Sequence, residues 1–145
     1  MSALRVALAN LRYPATPAES VDLGVEAVGQ AGAAGAALVC FPECYVPGYR
    51  APDKGVPPPD AAFLEAAWGR IALAAAQARV CVVLGTERVT AKGVAATALV
   101  IGPAGARLGF QDKVQLDPSE EATYTHGVGR RVFTVGPLTF GIAIC

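Results

Sequence analysis

Ala36-Ala37-Leu38-Val39-Cys40-Phe41, followed at once by Pro42-Glu43-Cys44-Tyr45-Val46-Pro47-Gly48-Tyr49, is the stretch on which the fold turns. Six apolar residues without a charge predict an interior parallel strand, buried on both faces. The prolines and glycine that follow open a loop at the carboxyl end of that strand, the usual place for a site in an α/β protein. Upstream, residues 4–9 (LRVALA) read as a first buried strand at the edge of the domain. A helical pattern covers residues 19–34, with Val21, Val25 and Val28 on one stripe. Gly24, Gly29 and Gly32 weaken that helix but permit close packing on a sheet. Strand, helix and strand in succession form one βαβ unit, whose crossover is expected to be right-handed.

Downstream, residues 50–59 are loop and end in three prolines. Asp60 can cap a helix running to Arg79, with Phe63, Leu64, Trp68, Ile71 and Ala75 on its apolar side. Residues 80–85 (VCVVLG) are the next strand, and residues 89–93 read as a turn. Residues 95–101 and 107–110 predict two strands joined across Gly102-Pro103-Ala104-Gly105, a hairpin signal. Residues 111–129 are polar and turn-rich. Residues 131–135 and 138–144 predict a second hairpin across Gly136-Pro137, and the run Gly141-Ile142-Ala143-Ile144-Cys145 reads as a strand ending in a thiol. The expected class is α/β: a mixed sheet with helices on one face.

Composition narrows the function. The chain has 145 residues, room for one domain with a real core. Hydrophobic residues make up 53% and charged residues only 17%, so part of the surface is expected to be covered by a partner subunit or by further chain. Twelve basic residues balance twelve acidic ones, which gives no electrostatic case for nucleic acid or an anionic membrane. No run reaches the ~18 apolar residues of a membrane span. The cysteines, Cys40, Cys44, Cys81 and Cys145, are irregularly spaced, and no secretory leader precedes the first strand. Free thiols in a reducing, cytoplasmic compartment are therefore expected. The scattered thiols and the single His126 do not make a metal set, and no glycine-rich phosphate loop is present, so no metal or cofactor is implied.

Three residues stand out for chemistry. Glu43 sits in a tight, aromatic loop where a partly desolvated carboxylate could shuttle protons. Read alone, it is equally an ordinary loop carboxylate. Lys113, in Phe110-Gln111-Asp112-Lys113-Val114-Gln115-Leu116, could face an oxyanion or simply be solvated. Glu120 and Glu121 follow; one could hold the lysine or the substrate while the other faces solvent. Cys145 in isolation is strand packing, as Cys40 and Cys81 are. Cys44 adjoins Glu43, but neighbours in an extended loop point apart.

Together these pieces resemble the nitrilase-like carbon–nitrogen hydrolases. The matching segments are Phe41-Pro42-Glu43 with Gly48-Tyr49, Asp112-Lys113-Val114-Gln115-Leu116 with Glu120 and Glu121, and Gly141-Ile142-Ala143-Ile144-Cys145. They span residues 4–145. Gln115 stands where the family commonly has a histidine. The resemblance implies a four-layer α-β-β-α sandwich, with residues 1–145 as the N-terminal part of a single domain and the pocket completed by residues beyond Cys145. It implies Glu43 as general base, Lys113 as oxyanion-stabilising cation and Cys145 as nucleophile. Glu121 fits the family's second glutamate better than Glu120, and Tyr49 is a substrate-positioning residue. The implied reaction is hydrolysis of a small aliphatic amide to carboxylate and ammonia through a cysteine thioester, without cofactor, in a homodimer or higher homo-oligomer. Nitriles, N-carbamoyl-amines and ω-amides of keto acids are alternatives on the same residues. A non-catalytic α/β interaction domain is the alternative of a different class. It requires Cys145 to lie far from Glu43 and Lys113.

Overall fold

The computed structural model describes residues 4–145 and contains a five-stranded mixed sheet, two helices on one of its faces and a two-stranded hairpin on the other. In chain order the elements are β1 (Val6–Leu8), α1 (Pro17–Ala33), β2 (Leu38–Cys40), α2 (Ala61–Ala78), β3 (Cys81–Thr90), β4 (Gly93–Ile101), β5 (Arg107–Asp112), β6 (Val132–Val135) and β7 (Leu138–Gly141). The sheet order is β1-β2-β3-β4-β5. β1, β2 and β3 are parallel, because helical crossovers join them; β3, β4 and β5 are antiparallel, because tight turns do. Two successive crossovers in one direction leave both helices on the same face. The expected α/β class with helices on one face is what the chain forms.

Local chemistry sets the helix ends. Thr16 accepts from the Glu19 N–H at 3.1 Å, Pro17 follows in the first turn, and Glu19 accepts from the Ala15 N–H. Asp60 accepts from the N–H groups of Ala62 and Phe63 at 2.9 and 3.0 Å. The main core lies between these helices and the sheet, with Val21, Val28, Leu64, Trp68, Ile71, Leu84 and Leu99 inside it. The helix glycines act differently from expectation: a Cβ on Gly32 would lie 2.7 Å from the Ala78 Cβ, so this residue lets α1 approach α2 rather than the sheet.

A second apolar layer fills the opposite face. Phe133 packs with Leu38, Cys81, Val83, Ala98 and Val100, and Ile142 and Ile144 lean on the same cluster. Helices, sheet and hairpin thus form three successive layers, α-β-β. Among the described residues, no helix is long and apolar enough to cross a membrane.

Three expectations change. β1 is not buried: it has one neighbour, and while Ala7 packs on the helical core, Leu8 is 78% exposed. Residues 89–93 are not simply a turn. β3 continues to Thr90, only Ala91 and Lys92 turn, and Gly93 opens β4 with φ +127°. Nor does the last strand run to residue 144. The Arg131 N–H donates to the Gln111 side chain at 2.7 Å, so β6 begins only at Val132, and its partner β7 ends opposite it at Gly141. Residues 142–145 leave the ladder.

Gly85 explains why β3 outruns its expected end. A Cβ there would lie 1.8 Å from the Pro42 carbonyl oxygen, so the glycine does not terminate the strand but lets the loop after β2 lie across it. Gly85→Ala is expected to lower the unfolding free energy by about 1–3 kcal/mol through this overpacking. Urea denaturation would measure it, and an unchanged midpoint would mean that the loop is free to move aside.

Candidate active site

The loop after β2 is fastened to β3 by its backbone. Phe41 N–H donates to Val83 O at 2.9 Å, Val46 N–H to Gly85 O at 3.2 Å and Glu87 N–H to Val46 O at 3.2 Å. Cys44 adopts φ +46°, an unusual conformation for a non-glycine residue, and its side chain is fully buried. That turn sends Cys44 inward and leaves Glu43 at the surface of a cleft. Burial pushes the Cys44 thiol up, which suits a packed residue rather than a reactive one.

Lys113 enters from the other side. Its N–H donates to Ala96 O and its carbonyl accepts from Gly127 N–H, both at 2.8 Å, so the residue after β5 is held as firmly as the strand itself. Its ammonium is buried and donates to Glu43 Oε1 and to the Glu120 carboxylate, each at 2.8 Å. Burial works against the charge, but the hydrogen bonds to Glu120 and Glu43 outweigh it and hold Lys113 above the ordinary lysine value. Burial likewise disfavours ionised Glu120. Donation from Lys113, from the Asp117 N–H and from Tyr49 Oη reverses that, and the carboxyl lies below its ordinary range. Tyr49, half-buried and donating to Glu120 at 2.8 Å, is pushed up to about 12 by desolvation and by that hydrogen bond, and stays a donor.

Glu121 is therefore not the glutamate beside Lys113. Its side chain is 58% exposed and lies 3.9 Å from His126 Nε2, itself exposed. The turn decides between the two neighbours. Asp117 accepts from the Ser119 N–H at 2.9 Å, and Glu120 reaches back to the Asp117 N–H at 2.8 Å. The bond from Glu120 back to Asp117 is the return half of a capping box, while the Asp117 side chain takes the Ser119 N–H and its carbonyl takes the Glu120 N–H at 2.8 Å. The pattern Asp117-Pro118-Ser119-Glu120 carries that signal in the sequence, and it points to Glu120. His126 does not line the cleft that holds Glu43 and Cys145.

Cys145 is exposed and lines two adjoining hollows, an open cleft of about 650 Å³ and a smaller one of about 130 Å³. Glu43 lines both; Lys113, Glu120 and Tyr49 line the larger. Ile142 and Ile144 anchor the run by packing on the sheet. The structure thus brings Glu43, Lys113, Glu120 and Tyr49 into one hydrogen-bonded group and puts Cys145 on the same cleft. The other three cysteines are unpaired, Cys44 and Cys81 buried and Cys40 partly so. Among the described residues, no three of His, Cys, Asp and Glu gather as a metal set would.

The carbon–nitrogen hydrolase family model matches residues 5–145. A search of curated proteins gave no match. Among solved structures, the NitN amidase from Nesterenkonia sp. AN1 is similar at 25% identity and a TM-score of 0.83, over 99% of this chain and 57% of that one. A variant of the amidase from Nesterenkonia sp. AN1 in complex with butyramide matches at 24% identity and a TM-score of 0.83, over 97% and 55%. A glutamine-dependent NAD+ synthetase from Acinetobacter baumannii matches at 24% identity and a TM-score of 0.83, over 100% of this chain and 28% of that one. The chain spans a little over half the length of the amidases, and the four-layer fold of the resemblance is supported by these likenesses.

The charge pair makes stability depend on pH at both ends. Glu120 has a folded value below its ordinary 4.5, so its contribution is complete above 4.5 and is lost as pH falls through the folded value. Lys113 has a folded value above its ordinary 10.5, so its contribution is complete below 10.5 and is lost as pH rises through the folded value. Urea unfolding across pH is expected to show both limbs. Glu120→Gln should lower the neutral plateau and flatten part of the acid limb, whereas Glu121→Gln should change neither. An unaltered acid limb in Glu120→Gln would remove this carboxylate from the pair.

Proposed function

The chain belongs to the carbon–nitrogen hydrolase family, and from that premise we propose that it supplies the N-terminal part of one hydrolase domain acting on a small aliphatic amide, which it converts to carboxylate and ammonia. One observation carries the reading: the Lys113 ammonium lies 2.8 Å from both Glu43 and Glu120 on a cleft that Cys145 lines. A buried cation between two carboxylates costs desolvation and adds little as packing. Beside an accessible thiol, it has the parts that acyl transfer needs: a nucleophile, a base and a charge for the oxyanion. The butyramide bound to the similar amidase variant supports an aliphatic amide as substrate.

The steps follow from the positions. Glu43 takes the proton of the Cys145 thiol, because the thiolate and not the thiol is the effective nucleophile. The sulfur attacks the amide carbon, and Lys113 faces the oxygen that becomes negative. Glu43 returns the proton to the departing ammonia and leaves a thioester at Cys145. It then takes a proton from water, whose oxygen attacks the thioester, and the carboxylic acid departs with the thiol restored. Glu120 and Tyr49 touch neither bond. They hold Lys113 in place, and ionised Glu120 balances its charge.

Cys145→Ala and Glu43→Gln in the full-length protein are each expected to reduce ammonia release from propionamide by at least a factor on the order of 10³. Mass spectrometry after iodoacetamide should find the label on Cys145 in the unaltered protein. Ammonia release that survives in Cys145→Ala would end the reading.

A further inference from the structure

Behind the cleft lies a second charged cluster that the chemistry above does not use. Glu87, on β3 two residues past Gly85, is fully buried. Its Oε1 accepts from Arg50 Nε at 2.7 Å and from Tyr124 Oη at 2.8 Å, and its Oε2 accepts from Arg50 Nη2 at 2.9 Å. Arg50 is bonded to Tyr49, whose hydroxyl donates to Glu120. The Tyr124 N–H donates to Glu120 O at 2.8 Å. The contacts therefore close a ring: Glu87 to Arg50, along the chain to Tyr49, across to Glu120, back through its carbonyl to Tyr124, and from the Tyr124 hydroxyl to Glu87.

The ring joins the two segments that carry the site. One holds Glu43 and Tyr49, the other Lys113 and Glu120, and no strand pairs them directly. A guanidinium gripping a carboxylate with two parallel hydrogen bonds fixes direction as well as distance. An ion pair kept only for stability would need no tether to Glu120. Here a displacement of Tyr49 or Tyr124, the two residues of the ring that touch Glu120, is passed to Glu120 and so to Lys113. We propose that Glu87 is a positioning residue which, through Arg50 and Tyr124, sets the spacing of the Glu43 and Glu120 arms around Lys113. This rests on the amide-hydrolase reading above.

The test opens the ring at its mildest link. Tyr124→Phe removes one hydrogen bond and leaves no charge unpaired; Glu87→Gln removes the charge. Each is compared with the unaltered full-length protein and with Cys145→Ala by circular dichroism, by kcat and KM for propionamide, and by the rate of Cys145 alkylation with iodoacetamide. Folded Tyr124→Phe is expected to lose kcat by a factor on the order of ten, with KM within about twofold, because misplacement of reacting groups acts on the chemical step. Alkylation should slow as well, since it also draws on Glu43. Combining Glu87→Gln with Tyr124→Phe should cost no more than Glu87→Gln alone, because both open one ring. Wild-type kcat and alkylation in folded Tyr124→Phe would overturn the proposal, and so would failure of that variant to fold, which would assign the ring to stability. If Glu87→Gln does not fold, Tyr124→Phe alone decides. Ammonia release by Cys145→Ala would bring down the hydrolase reading and this inference with it. An inactive Cys145→Ala beside a fully active Tyr124→Phe would bring down the positioning role only.

Discussion

A lysine ammonium taken out of water needs its charge balanced and its protons accepted, and Lys113 obtains both from carboxylates on separate stretches of chain. That requirement governs the region around it. Glu43 must be carried to the cleft by a loop that crosses β3, and Glu120 by a turn that folds back toward β5. Neither position would survive a loose frame. Gly85 permits the crossing by having no side chain, and the Asp117–Glu120 turn is closed by its own hydrogen bonds. Charge brings the two carboxylates to Lys113, while backbone hydrogen bonds to β3 and the buried Phe41, Cys44, Tyr45 and Val46 hold the first loop on the sheet.

The frame beneath is ordinary in its physics. Parallel strands joined through α1 and α2 bury one face, and the antiparallel β3-β4-β5 meander continues the same sheet. β5 ends where Lys113 begins, and β2 ends just before Phe41-Pro42-Glu43. Both proposed functional loops thus leave the sheet from strands that flank β3 and β4, and they meet over that pair. The hairpin β6-β7 closes the far face and delivers residues 142–145 to the same opening.

Much of this was legible in the residues. The apolar run before Pro42, the Asp60 cap and the two glycine-proline turns mark local energetics that tertiary context does not overturn. Strand limits were less legible where polar residues are buried: Thr86 and Glu87 look like a turn approaching, yet Thr86 accepts from the Trp68 ring N–H and Glu87 is gripped by Arg50. Glycine misled for a related reason, since Gly85 reads as a terminator unless the crossing loop is known. The choice between Glu120 and Glu121 turned on a four-residue capping pattern, a weaker signal than family likeness suggested. Glu87 carries no motif at all. Its partners are 37 positions away in either direction, and only the folded chain joins them.

The pair of carboxylates around Lys113 also bears on how the proposed chemistry keeps its charge in balance. With Glu43 and Glu120 ionised, the three groups sum to one negative charge, and Lys113 is compensated before any substrate arrives. A further anion placed beside it would then gain little. Transfer of the thiol proton to Glu43 changes this. The carboxyl becomes neutral as the sulfur, and after it the carbonyl oxygen, takes up the negative charge. The Lys113–Glu43 attraction weakens at that moment, and the ammonium, still held by Glu120, is released toward the oxyanion. The total charge in the cleft stays constant through attack, which limits the reorganisation that the surroundings must undergo. On this view Glu120 must remain an anion throughout, because it is the fixed partner against which Glu43 can be exchanged. Its three donors, Lys113, Asp117 N–H and Tyr49 Oη, are the physical means of keeping it so.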